Sequence, residues 1–315
     1  MIGRVVEIGG QGRFLSLDRG FLVISQQGSE IGRTPIDDIS ALIGNAHGLS
    51  YSNNVLVALA ERGAPFVLCG KQHRPVALLW PVEGHHRQAA RMDGQWRASQ
   101  TLKKRLWKQL IQAKISGQAA VLAHVGESGK AVARYVGKVR VGDPSNVEGQ
   151  AARAYWLLLF GKAFRRDRSA DGINALLNYG YTVLRALVAR HVMAAGLHPG
   201  IPLHHANAGN PMRLVDDLME PFRPLVDVWV WRLHTDGCEQ VDTHAKRELA
   251  LLAARTLHLP EGRSAVANAV QRYVQSLAHL LECGKGMPQL CDISVEALKS
   301  IWEGDWRVEA EAEDD

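Results

Sequence analysis

Three places in the chain concentrate residue types that could do chemistry. Glu148 stands in Ser145-Asn146-Val147-Glu148-Gly149, where a segment with helical spacing begins and runs on through Ala152, Tyr155, Trp156 and Leu159. An acidic residue in a first helical turn complements the helix dipole, which is its plainest use. His204 and His205 lie side by side in Pro202-Leu203-His204-His205-Ala206-Asn207. A neutral imidazole is a good ligand for a divalent metal, and a hydrogen-bonded, partly buried histidine is the ordinary alternative. Neighbours on an extended chain point to opposite sides, so only one of the two can face a shared site. The third place is Asp216-Asp217-Leu218-Met219-Glu220. On a helix, Asp216 or Asp217 would share a face with Glu220. Two exposed like charges there repel by about 0.2–0.5 kcal/mol, and a cation between them would reverse the sign. A solvated acidic turn is the alternative. Pro221 follows directly, so the helix kinks or ends near Glu220.

Carboxylates combined with one imidazole suit Mg²⁺ or Mn²⁺ with several retained waters. Such an ion polarises a phosphate oxygen and lowers the pKa of a bound nucleophile. Phosphate ester cleavage needs rate gains on the order of 10¹⁷ or more, which side chains without a metal rarely supply. The three places are far apart along the chain, and composition cannot bring them together. Other signatures are absent: there is no GxxxxGK[ST] loop, no GxSxG elbow and no HExxH pair. Gly44-Asn45-Ala46-His47-Gly48 lacks the dinucleotide fingerprint.

The elements that must position these residues fall into two textures. The first eighty or so residues read as strands. Phe14–Leu17 and Phe21–Ile24 are short apolar runs with the turn signal Asp18-Arg19-Gly20 between them. Ile39–Ile43, Pro65–Leu68 and Val76–Leu79 are further strands, and a helix capped by Ser50 or Ser52 ends at Gly63. From Gln88 on, long helical patterns take over. Leu102, Leu106, Leu110 and Ile111 mark one face of the first, with Lys103, Lys104, Arg105 and Lys108 elsewhere around it. Helices are also expected over 152–164, 173–193, 214–219 and 265–281. The expected fold is α+β: a small N-terminal β-sandwich-like domain over residues 1–84, then a larger all-α domain over 85–302. Residues 303–315 read as an acidic, flexible tail.

The chain has 37 Lys and Arg against 32 Asp and Glu, a formal charge of +5, and the acidic tail hides a more basic body. Such a body favours polyanions through steering and counterion release. Arg165, Arg166, Arg213 and Arg223 are candidates for phosphate contacts, with ordinary surface arginines as the alternative. Cys69, Cys238, Cys283 and Cys291 form no CxxC pair, which excludes a zinc ribbon or dithiol redox motif and suits a reducing cytoplasm. No apolar run of about eighteen residues exists, and Met1–Gly10 lacks an export signal. A cytoplasmic protein without membrane partners is expected.

At four segments the sequence resembles a known family: Trp80–Gln88, Ala175–Tyr181, His204–Asn207, and Asp216–Pro224 as the strongest. It resembles the CRISPR-associated adaptation integrase and endonuclease, the family-one adaptation protein, in its type II-like branch that accompanies RNA-guided effector nucleases. The resemblance implies a metal site made from Glu148, His205 and Glu220, with Mg²⁺ or Mn²⁺ bound. His204 is the less suitable histidine by its spacing to Glu220. Asp217 matches a supporting acidic position, Asn207 a possible support, and Tyr179 a tyrosine close to the reacting DNA end. The implied partners are double-stranded DNA as fragment and repeat array, a second copy forming a homodimer through the β domains, a small ferredoxin-like second adaptation protein, and the effector nuclease. The implied activity is insertion of short DNA fragments into the array by 3′-hydroxyl transesterification. A metal-dependent nuclease acting on branched DNA in repair would use the same residues, and a non-catalytic DNA-binding scaffold would need no metal.

Overall fold

The structure is a computed structural model that describes residues 4–70, 75–79, 81–82, 84–260 and 262–303. The acidic tail from residue 304 on, and Trp80 and Glu83 of the first resemblance segment, lie outside the described residues.

Among the described residues, eight strands and one α-helix form the N-terminal layer: β1 (Arg4–Ile8), β2 (Arg13–Asp18), β3 (Phe21–Gln26), β4 (Ser29–Pro35), β5 (Ile39–Gly44), β6 (Ser50–Tyr51), α1 (Asn53–Glu61), β7 (Phe66–Cys69) and β8 (Pro75–Leu79). They make two four-stranded sheets, ordered β1-β5-β7-β8 and β4-β3-β2-β6. In the first sheet β5 runs parallel to β1 and β7, and β8 is antiparallel to β7. The β2–β3 hairpin turns on Arg19 and Gly20, both at positive φ, the twist that a two-residue hairpin loop requires. The sandwich expected from the sequence is present: Ile8, Leu42 and Phe66 of one sheet pack with Leu15 and Leu22 of the other and with Leu59 of α1. Strands β1 and β4 were not expected from the sequence.

Alternation along β5 sends Leu42 into the sandwich and Ala41 and Ile43 to the opposite face. There they meet Val5, Val67 and the helical residues Val183 and Ala186. All six residues of β5 are buried, as expected for a strand covered on both faces.

The rest of the chain is helical in the main: α2 (Gln88–Arg97), α3 (Gln100–His124), α4 (Lys130–Ala133), α5 (Val147–Leu159), α6 (Ile173–Ala194), α7 (Arg213–Met219), α8 (Arg223–Thr235), α9 (Thr243–Ala250), α10 (Val266–Cys283) and α11 (Val295–Glu303). One large core joins α3, α5, α6, α8 and α10. The expected helical body is present, with one small addition: β9 (Thr256–Leu259) and β10 (Gly262–Ala265) pair as an antiparallel hairpin. Leu257 and Leu259 turn inward while Thr256 is exposed, a period-two pattern too short to register against the helices around it. Helix α5 also ends at Leu159, earlier than expected; Gly161 sits at φ +88°, and Trp156, Phe160 and Phe164 cluster where the chain turns away. Among the described residues no helix is long and apolar enough to cross a membrane.

Candidate active site

Glu148 sits in the first turn of α5, and two side chains fix that turn. Asn146, in the left-handed conformation, accepts from the Gly149 amide at 3.0 Å. Asp143 accepts from the amides of Val147 and Glu148 at 2.9 and 3.0 Å. Three donors that the helix start would leave unpaired are thereby satisfied, so the position of Glu148 is set by its backbone. Its carboxylate does more than complement the dipole: Oε1 accepts from Lys114 Nζ at 2.6 Å.

Lys114 lies on α3, buried among apolar residues. The same ammonium stands 2.5 Å from Oε2 of Glu220. Glu220 is buried and its Oε1 accepts from Arg223 Nε at 2.8 Å. Burial alone would push the Glu220 carboxyl up, but Arg223 and Lys114 outweigh it and hold it below the usual carboxylate range. Burial likewise opposes charge on Lys114, and Glu220 and Glu148 overcome it, so the ammonium is held above its usual value. Gly117, one turn beyond Lys114, lets Pro224 at the start of α8 come close; a Cβ there would stand 3.0 Å from Pro224 Cγ. This close approach brings Glu220 and Arg223 to α3.

His205 occupies the loop before α7. Its Nδ1 is 2.6 Å from Oδ1 of Asp217, a fully buried residue whose carboxylate also accepts from the amides of Leu203, His204 and His205. A carboxylate so surrounded by donors acts as acceptor, which places the ring hydrogen on Nδ1 and leaves Nε2 with a lone pair. The hydrogen bond to Asp217 outweighs burial and raises the His205 pKa, with a smaller contribution from Glu220. His204 is the more exposed of the two and stacks flat on Trp107 of α3, 4.1 Å between centroids.

The acidic run does not act as a common face. Asp216 pairs with Arg185 at 2.7 Å, Asp217 with the 203–205 loop, and Glu220 with Lys114 and Arg223. The reason is Pro221: α7 stops at Met219 and a 3-10 turn over Glu220–Phe222 rewinds Glu220 away from the α7 register. Glu148 and Glu220 therefore converge through Lys114, with His205 near enough to Glu220 for that carboxylate to help raise its pKa. Among the described residues no three histidine, cysteine, aspartate or glutamate side chains form a closed ligand cluster as placed. The donor set nonetheless fits a divalent ion. Two carboxylates already share a cation, and an imidazole whose other nitrogen is held by a carboxylate is the usual form of a metal-binding histidine.

Other expected residues are used elsewhere. The Tyr179 hydroxyl donates to Glu7 of β1 at 2.5 Å, where Asn45 and Lys246 also converge, and joins the helices to the sheet. Its phenol is raised well above the usual range by burial and by Glu7. Asn207 accepts from the Gly209 amide and closes its own exposed turn. Arg223 is not a surface phosphate ligand: it is committed to Glu220 and lies over the Tyr181 ring at 4.6 Å. Arg166 is tied to Asn174 and Asn178, and Arg213 to the Gly200 carbonyl, while Arg165 is exposed and bonds only to local carbonyls.

Sequence reasoning missed Lys114 and the buried carboxyl beneath it. Asp227 of α8 accepts from Tyr155 at 3.0 Å and from Tyr181, and burial raises its pKa to about 6. The signal for Lys114 was present: it falls three and four residues after Ile111 and Leu110, inside the apolar stripe of α3.

Comparison with known proteins places this geometry in a family. Residues 6–272 match the family model described as CRISPR associated protein Cas1. A CRISPR-associated endonuclease Cas1 of Neisseria meningitidis is 39% identical over 225 residues, covering 71% of this chain and 73% of the relative. Among solved structures, a casposase bound to its integration product superposes with a TM-score of 0.77 at 20% identity, covering 93% of this chain and 94% of that one. A chain of a Cas6-RT-Cas1–Cas2 complex gives a TM-score of 0.69 at 16% identity, over 90% of this chain and 35% of that one. The family model and the meningococcal relative together settle the matter: the chain belongs to the Cas1 family of CRISPR-associated proteins.

Proposed function

We propose that this chain is a metal-dependent DNA integrase and endonuclease of CRISPR adaptation, and that Glu148, His205 and Glu220 hold Mg²⁺ or Mn²⁺ in its active site. One observation carries the reading: two carboxylates remote in sequence meet at one cation, and an imidazole held by a buried aspartate lies within the electrostatic reach of one of them. When bound, the ion supplies charge stabilisation at a phosphate oxygen and a more acidic nucleophile. The protein's part is placement. Asp217 engages Nδ1 of His205 and so fixes the ring, the α5 cap sets the position of Glu148, and Arg223 helps hold Glu220 ionised.

In the reaction a 3′-hydroxyl attacks a phosphodiester in line. One P–O bond forms as another breaks, the hydroxyl proton is released and the displaced oxygen takes one up, so no external energy source is needed. With water as nucleophile the same arrangement nicks DNA. The partners proposed are duplex DNA, a Cas2-type second adaptation protein, a second copy joined through the β layers, and in a type II-like setting the effector nuclease. The casposase and the Cas1–Cas2 assembly among the similar folds support the first two.

The test is strand joining. A labelled duplex with 3′-hydroxyl ends, a Cas2-type partner and a supercoiled plasmid bearing a repeat array are incubated with Mg²⁺ or Mn²⁺. Label should join the plasmid at the array, and EDTA or 3′-deoxy ends should abolish joining. Cleavage of branched DNA without joining would favour the repair nuclease, and unchanged function in EDTA would favour the scaffold.

A further inference from the structure

The unusual member of the site is Lys114, a cation seated on the oxygens that the metal reading assigns to an ion. Its Nζ is 2.6 Å from Glu148 Oε1 and 2.5 Å from Glu220 Oε2. An ion held by both carboxylates would compete with the ammonium for this seat. The neighbouring cation, Arg223, is not free to move. Its Nε is bonded to Glu220 Oε1, and its guanidinium lies over the Tyr181 ring. Lys114 is different in kind: a point charge on a flexible four-carbon stem, without the planar fork that fixes a guanidinium. The Glu148 side of the pair opens to solvent, its side chain being 28% exposed against 5% for Glu220, which gives a cation a way in and the ammonium a way out.

We propose that Lys114 is a displaceable counter-cation: it holds the two carboxylates together before the metal arrives, then swings out to meet a phosphate of the bound DNA. The inference rests on the metal reading of Glu148, His205 and Glu220. It makes Lys114 a positioning residue in the resting protein and a phosphate contact in the working one. It also couples the two ligands. Vacating the seat separates Lys114 from both carboxylates, and a DNA phosphate gives it a new partner, so each ligand should strengthen the other by the same factor. Coupling through the metal's own contact with a phosphate would persist without Lys114, whereas coupling through Lys114 would be lost with it.

The experiment measures Mn²⁺ binding to the full-length protein by the electron paramagnetic resonance signal of free Mn²⁺, with and without a short DNA duplex, alongside thermal unfolding. In the wild type, duplex should tighten Mn²⁺ binding. In Lys114→Met, Mn²⁺ should bind about tenfold tighter or more without DNA, raise Tm by more than in the wild type, and respond little to duplex. Lys114→Arg keeps the charge and so protects the fold, but its planar fork should grip the carboxylates and weaken Mn²⁺ binding by about tenfold. Mn²⁺ affinities unchanged in both variants, with the same response to duplex, would overturn the proposal. A wild type that binds no Mn²⁺ would instead remove the metal reading beneath it.

Discussion

At the scale of single residues, the carboxylates of the site carry two loads at once. Glu220 neutralises Lys114 and Arg223 inside the protein. Its removal should therefore lower stability as well as activity, because it leaves Arg223 without its carboxylate and the buried Lys114 with Glu148 alone. Glu220→Ala should lose about 3–5 kcal/mol in urea unfolding, a range expected for breaking a buried pair, and an unchanged midpoint would refute the pairing. His205 differs. Its ring is more than one-third exposed, and Asp217 keeps three amide donors without it.

Asp227 gives a pH prediction. Its folded value of about 6 lies above the ordinary 3.8, so its share of stability is complete below about 4 and is lost as pH rises through 6. Measured against Asp227→Asn, the wild type should lose ground by up to about 3 kcal/mol between pH 4 and 7; parallel curves would contradict it. The candidate ligands could be read from residue type together with the family resemblance. Lys114 could not, because attention to charge picked out the solvent-facing Lys104 and Arg105 and passed over the lysine inside the apolar stripe.

At the scale of elements, the site depends on how closely helices approach. Gly180 of α6 faces α8, and a Cβ there would meet Val226 Cγ1 at 2.5 Å and Leu249 Cδ2 at 3.2 Å. Gly180→Ala should force α6 from α8, cost about 1–3 kcal/mol, and disturb the Tyr181–Asp227 and Tyr181–Arg223 contacts; a neutral effect on thermal unfolding would show that the packing yields. Most helices were readable because their apolar faces repeat over several turns, as along α3 and α6. The hairpin of β9 and β10 was not, each strand being four residues long, nor were β1 and β4, whose runs are interrupted by polar residues. The break at Glu220 was half readable: Pro221 announced it, but the 3-10 turn that separates Glu220 from Asp216 and Asp217 depends on how α8 docks on α3 through Gly117 and Pro224.

At the scale of the whole molecule, the β layers and the helical body meet along one face of the first sheet. Val5, Ala41, Ile43 and Val67 pack on α6 there, and Arg190 donates to the carbonyls of Ile39 and Ser40. The two textures were plain in the sequence, but this seam was not, since Glu7, Tyr179 and Lys246 meet only in three dimensions. A basic body acting on DNA should bind duplex with a log–log salt slope of about −0.9 per neutralised phosphate, and a flat response would argue against backbone binding.

The most direct test of the central claim uses His205→Ala, the variant that removes a proposed ligand while sparing the buried ion pairs. With its circular dichroism and unfolding midpoint matched to the wild type, its strand joining in saturating Mg²⁺ or Mn²⁺ should fall to the level of the wild type in EDTA. Joining at the wild-type rate by that folded variant would contradict the account.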